Sequence, residues 1–166
     1  MNKKLIAILF MMAPLAIFAQ KFGHLNSADI IQVLTEYTTA QTELQKLEKQ
    51  YSDELKMMET ELSKKSEEYA AQKATLPANI QQRREQELQE LYGRMQQYYQ
   101  QSQQELAQDS QEKMAALTEK ITNASKEEGV AGGYHYIFDV ASGIPYISET
   151  LSTDVTAQVK AKLGIK

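Results

Sequence analysis

The chain contains no cysteine and no tryptophan. Without cysteine there can be no disulfide, no thiolate metal ligand, no cysteine nucleophile and no lipidated cysteine anchor. Catalytic signatures are missing too: no G-x-S-x-G, no H-E-x-x-H and no phosphate-binding glycine loop occurs. Carboxylates are plentiful, but on a helical surface they act as solvating groups rather than as a paired acid and base. Neither an enzyme nor a cofactor is therefore expected. The formal charge of −4 argues against nucleic acid as a partner. Long hydrophobic runs are scarce. The one long apolar stretch, Leu5 to Ala19, carries no charge and follows Lys3 and Lys4, and at about fifteen residues it is shorter than the ~20 needed to span a bilayer. Residues 1–19 are expected to be an export signal cleaved near Ala19. The mature protein would then start at Gln20, lie outside the cytoplasm and carry −6 once Lys3 and Lys4 are gone.

What the chain does have is helical periodicity. Residues 37–124 carry apolar side chains mostly three, four or seven apart, including Tyr51, Leu55, Met58 and Leu62, then Leu91, Met95 and Tyr98. Pro77 interrupts the pattern and disfavours helix at Leu76. The two seams are expected to fold back as an antiparallel coiled-coil hairpin with its tip near 75–79, and residues 35–75 as one helix would reach roughly 60 Å. Met58 should face Met95, Leu62 should face Leu91, and Tyr37 should face Leu117. Both seams slip locally, around Tyr51 and around Ser102, and Gly93 further weakens the second helix. A hairpin that bends is the expectation.

The flanks, residues 20–36 and 125–166, form a small α/β body. Lys21 to Asn26 is predicted as a strand, with a helix after Ser27. Tyr134 to Val140 is a second predicted strand. Ala141-Ser142-Gly143 reads as a turn, and Ile144 to Ser148 as a returning strand with Pro145 suited to an edge. Asp154 and its neighbours offer a cap for a closing helix with Val155, Val159 and Leu163 on one face. The fold class expected is therefore mainly α with a small β base. So small a sheet buries little and leaves pairable edges, and sharing strands between copies of the chain would remove them. Phe22, Leu25, Tyr136, Phe138, Ile144 and Tyr146 are the candidate residues of such an oligomer body.

These residues resemble the Skp/OmpH family of periplasmic chaperones. The opening KFGHLNSADIIQVLTEY, the Gln/Glu/Lys-rich hairpin, and the closing YHYIFDVASGIPYIS with STDVTAQVKAKL carry the resemblance. It implies a periplasmic homotrimer in which a β-barrel made of strands from each chain bears helical tentacles around a cavity. It also implies ATP-independent holding of unfolded outer-membrane β-barrel proteins during their transit. Thr35 stands where many relatives carry proline, and this chain is acidic where the best-known members are basic.

Within that frame Met57, Tyr92 and Tyr99, which sit off the main seam, are the candidate cargo contacts, because adaptable Met and amphipathic Tyr accept varied apolar sequences. Lys73, Arg83 and Arg84 make the expected tip basic, suited to transient contact with an anionic membrane surface. His24 and His135, in two predicted strands, could approach each other, although no metal shell can be assembled from them. The alternative function is a coiled-coil adaptor or structural protein of the cell envelope.

Overall fold

The computed structural model describes residues 20–165; the expected export signal lies outside the described residues. In chain order the elements are β1 (Phe22–Leu25), α1 (Ser27–Ile31), α2 (Thr35–Gln72), a 3-10 turn (Lys73–Thr75), α3 (Ala78–Gly132), β2 (Tyr136–Asp139), a second 3-10 turn (Val140–Ser142), β3 (Ser152–Asp154) and α4 (Thr156–Lys162). They fall into two compact units, one comprising Asp29–Lys120, the other the residues up to Ala28 together with those from Ile121 onward.

In the 29–120 unit, two long helices run antiparallel. Glu36 meets Lys120, Glu43 meets Lys113, Tyr51 meets Glu105, and Lys65 meets Glu87. Tyr51 and Tyr98 also meet edge to face, with ring centroids 6.0 Å apart. These pairs follow the register expected from the two apolar seams. Leu91 and Leu117 are buried. So is Ser102, 1% exposed, whose hydroxyl donates to the Tyr99 carbonyl 2.9 Å away. At the tip, Leu76 takes the extended conformation, φ −79° and ψ 141°, as the residue before a proline must. The Pro77 carbonyl accepts from the amides of Ile80 and Gln81, opening α3. The Gln81 side-chain amide then donates to the carbonyls of Lys73 and Leu76, satisfying acceptors that the ending helix leaves orphaned.

Although Thr35 replaces proline, the helical path still breaks before α2. Val33 and Leu34 donate to the carbonyls of Ile30 and Ile31 in tight turns, and Leu34 is extended, with ψ 129°. Leu34 is 2% exposed, so side-chain burial accompanies the break without a proline.

In the other unit, β1 is the centre of a three-stranded sheet ordered β2-β1-β3. Both neighbours are parallel to it: Phe22 pairs with Tyr136 on one side and Ser152 on the other. This corrects the expected return strand at Ile144–Ser148. A two-residue turn can join only antiparallel strands, whereas here the chain leaves β2 through Gly143, at φ 81°, and comes back to the far side of β1. Pro145 has no N–H for a ladder, and the strand forms later, at Ser152–Asp154. The second long helix also persists through Lys126-Glu127-Glu128, where the pattern fades. It stops at Gly133, φ 65°, where Tyr134 N donates to the Gly129 carbonyl and Gly133 N to that of Val130. This is a Schellman ending, which requires the left-handed conformation that glycine adopts freely. Lys21 Nζ donates to the last helical carbonyl, Gly132, at 2.8 Å and lies 4.1 Å from the centre of the Tyr134 ring.

Candidate functional site

Alternation along β1 gives the sheet two unlike faces. Gly23 and Leu25 point inward and are buried, while Phe22 and His24 point outward. A Cβ at Gly23 would sit 3.2 Å from both Ile137 and Tyr134, so that inner face is closely packed. Leu25, Ile121, Ala124, Val155 and Val159 are buried in this unit. Of the candidate body residues, Leu25 thus lies in the chain's own core.

The outer face is aromatic and open. Phe22, Tyr136 and Phe138 stack with ring centroids 6.0 to 6.4 Å apart. Tyr136 remains 62% exposed and Phe138 42%. An open hollow of about 480 Å³ is lined by Phe22, Phe138, Ile144, Tyr146, Ile147 and Leu151, among others, and Tyr146 and Leu151 are three-quarters exposed or more. Five of the six candidate body residues therefore belong to this surface, Tyr136 through its stacking and the others as walls of the hollow. Singly exposed apolar residues are ordinary; a contiguous patch of them marks an interaction surface.

One residue missed in the sequence, Asp139, and one anticipated there as a cap, Asp154, stand at strand ends of this sheet. Asp139, at the end of β2, accepts from Ser27 N, Ser27 Oγ and Ala141 N, tying the start of α1 to the sheet. Asp154 accepts from Thr156 N and so starts α4. Both are short polar residues before a helix or turn, the signal that marked Asp154 and could have marked Asp139 too. His24 Nδ1 lies 2.8 Å from Ser152 Oγ, whereas exposed His135 precedes β2 and donates its amide to Lys21 O. The two imidazoles are not brought together, and among the described residues no cluster of three or more His, Asp or Glu is placed to hold a metal ion.

Within the 29–120 unit, Met57, Tyr92 and Tyr99 are each at least half exposed. Tyr92 and Tyr99, seven residues apart, share one face of α3. Tyr92 OH accepts from Gln96. The basic tip is partly neutralised: Lys73 pairs with Glu85 at 3.0 Å and Arg84 with Glu87 at 3.0 Å. Sequence order hides this, because no acid occurs from Tyr69 to Arg84, yet Glu85 and Glu87 lie within the next turn of helix. Arg83 makes no ion pair among the described residues and lines a surface hollow with Ile80 and Arg84. No described helix is long and apolar enough to cross a membrane.

These features define a mostly helical protein with a small three-stranded sheet. The chain belongs to the OmpH-like outer membrane protein family, whose model matches residues 21–163. A solved structure of an OmpH-like protein from Caulobacter crescentus CB15, named there as a candidate outer membrane chaperone, superposes with a TM-score of 0.74 at 17% identity, covering 87% of this chain and 83% of that one. At that identity the likeness is one of fold. No curated protein is similar enough in sequence to count as a match.

Proposed function

We propose that this protein is an ATP-independent holdase of the periplasm that binds unfolded outer-membrane β-barrel proteins and keeps them from aggregating on their way to the outer membrane. Besides family membership, the observation that carries the reading is the aromatic outer face of the sheet. Tyr136, Phe138 and Tyr146 lie exposed, with half-covered Phe22 among them, beside a sheet whose outer strands have no further partner strand among the described residues. Exposed strand edges invite pairing with another chain. Three copies closing their sheets into a common barrel would cover both edges and aromatics. In this reading residues 20–36 and 125–166 make the trimer body, residues 37–124 make the tentacle, and residues 1–19 are the export signal.

Clients would be held by many weak contacts between the arms, Met57, Tyr92 and Tyr99 among them. Release would follow when folding in the membrane becomes the more favourable state, so neither nucleotide nor catalytic group is needed. The tip cations, Arg83 foremost, would touch anionic lipid head groups.

The test is light scattering of a denatured outer-membrane barrel protein diluted into buffer with the purified protein. Suppression of aggregation at near-stoichiometric trimer is expected. Unchanged scattering across a concentration series would contradict the reading. Cross-linking in cells separates it from an adaptor role, since a holdase captures a spread of barrel proteins and an adaptor one fixed assembly.

A further inference from the structure

The two arms of the 29–120 unit bury little against each other. α2 has no buried residue in 38, and on α3 only Leu91, Ser102 and Leu117 within this unit are buried. Away from the tip turn, what bridges the arms between these half-covered seams is polar. Each such hydrogen bond runs through a glutamate. Glu36 accepts from Lys120, Glu43 from Lys113 and Glu87 from Lys65; Glu85 accepts from Tyr69 and Lys73, and Glu105 from Tyr51. These five carboxylates are spaced along the length of the hairpin, from its open end to its tip.

We propose that this glutamate ladder makes arm pairing acid-sensitive: when the five carboxylates are protonated, the two long helices part while each stays helical. The other charged or titratable groups around the ladder do not substitute for it. Lys46 lies near Glu43, and Arg84 binds Glu87; both are cations. Asp109 and Glu61 reach Lys113 and Lys65, and Glu54 and Glu105 act on Tyr98. These are carboxylates, of the same charge sign as the ladder, and bring no opposing cation.

The sign follows from the pairing. The bond from Lys120 holds Glu36 below the ordinary carboxylate value, as Lys113 does for Glu43 and Lys65 for Glu87. Tyr69, then Lys73, does so for Glu85, and Tyr51 for Glu105. Folded values below unfolded ones mean that the stabilisation is complete above the ordinary carboxylate value of 4.5. It is lost as pH falls through the lowered values. Acid does not offset the loss by relieving repulsion, because eleven cations remain in residues 29–120 and the mutual charge changes sign. The separated helices would persist because they are rich in Gln, Glu, Lys, Ala and Leu and exceed the ~12–15 residues below which lone helices fail.

The absence of cysteine permits a clean test. Ser52→Cys and Gln104→Cys, both exposed and on opposite arms, carry spin labels in the full-length protein. Inter-label distances and far-ultraviolet circular dichroism are recorded at about pH 7 and about pH 2, the second chosen to lie below the lowered carboxylate values. The expected result is a narrow distribution at neutral pH and, in acid, a broad one shifted outward by about 10 Å, roughly one interhelix spacing. Helical signal should be retained. The labelled variant that also carries E36Q, E43Q, E85Q, E87Q and E105Q should be broad at both pH values. An unchanged distribution in acid overturns the proposal, as does broadening that coincides with loss of helix. Should the five-fold variant fail to fold, the reversible acid response of the labelled parent decides the question alone.

Discussion

At the scale of single residues, three positions show how local chemistry sets the frame. Gly133 ends α3 at φ 65° with open space around a would-be Cβ, so backbone strain alone opposes substitution. Gly133→Ala should cost about 1–2 kcal/mol, seen as a lowered urea midpoint; an unchanged midpoint would show that the helix can end elsewhere. Ser102 presents the opposite case. Its buried hydroxyl bonds back to a carbonyl of its own helix, an arrangement that slightly destabilises helices. Ser102→Ala should therefore raise the thermal midpoint by a degree or two, consistent with a propensity gain of about 0.5 kcal/mol. A clear fall would show that this hydroxyl has an essential partner. Tyr51 is held by Glu105, whose hydrogen bond and charge, with some desolvation, push the phenol up to about 12. The tie is present below the ordinary tyrosine value and is lost as pH rises through the raised one. In an ultraviolet titration the last tyrosinate to appear, near pH 12, should vanish in Tyr51→Phe; an identical curve would place Tyr51 elsewhere.

At the scale of elements, legibility in the sequence tracked periodicity. The long helices were readable because every third or fourth apolar residue repeats for many turns, and even their facing register followed once Pro77 fixed the turn. β1 and β2 were readable from runs of strand formers. β3 was not: Ser152-Thr153-Asp154 is three polar residues, and its partner β1 lies about 130 positions away, so nothing local announces the pairing. Ile144 and Ile147 misled in the other direction. They are β-branched because they wall an apolar hollow, not because they pair. The partners of the tip charges were hidden for a related reason, since Glu85 and Glu87 fold onto Lys73 and Arg84 across or along the hairpin. The Gln81 closure was equally invisible, because a glutamine in a polar helix has no distinguishing pattern. Gln81→Ala removes both of its bonds to the tip carbonyls and should destabilise the hairpin by about 1 kcal/mol. Amide hydrogen exchange should quicken at the tip first. Equal protection in the variant would show that water serves those carbonyls as well.

At the scale of the whole molecule, charge and apolar surface are segregated by sequence position. Seventeen acids and eleven cations lie in residues 29–120, while the remainder from Gln20 is balanced, five against five. The acidic arms suit solvation and mutual repulsion. The neutral body, with its aromatic outer face, suits association. That division is what the proposed trimer needs: a sticky base of no net charge and wet limbs that stay apart. The measurement that tests this most directly is the native mass of the purified mature protein. The account predicts about three times the chain mass, with Tyr136→Glu together with Tyr146→Glu shifting the population to single chains. A stable, folded monomer of the unaltered protein would contradict it.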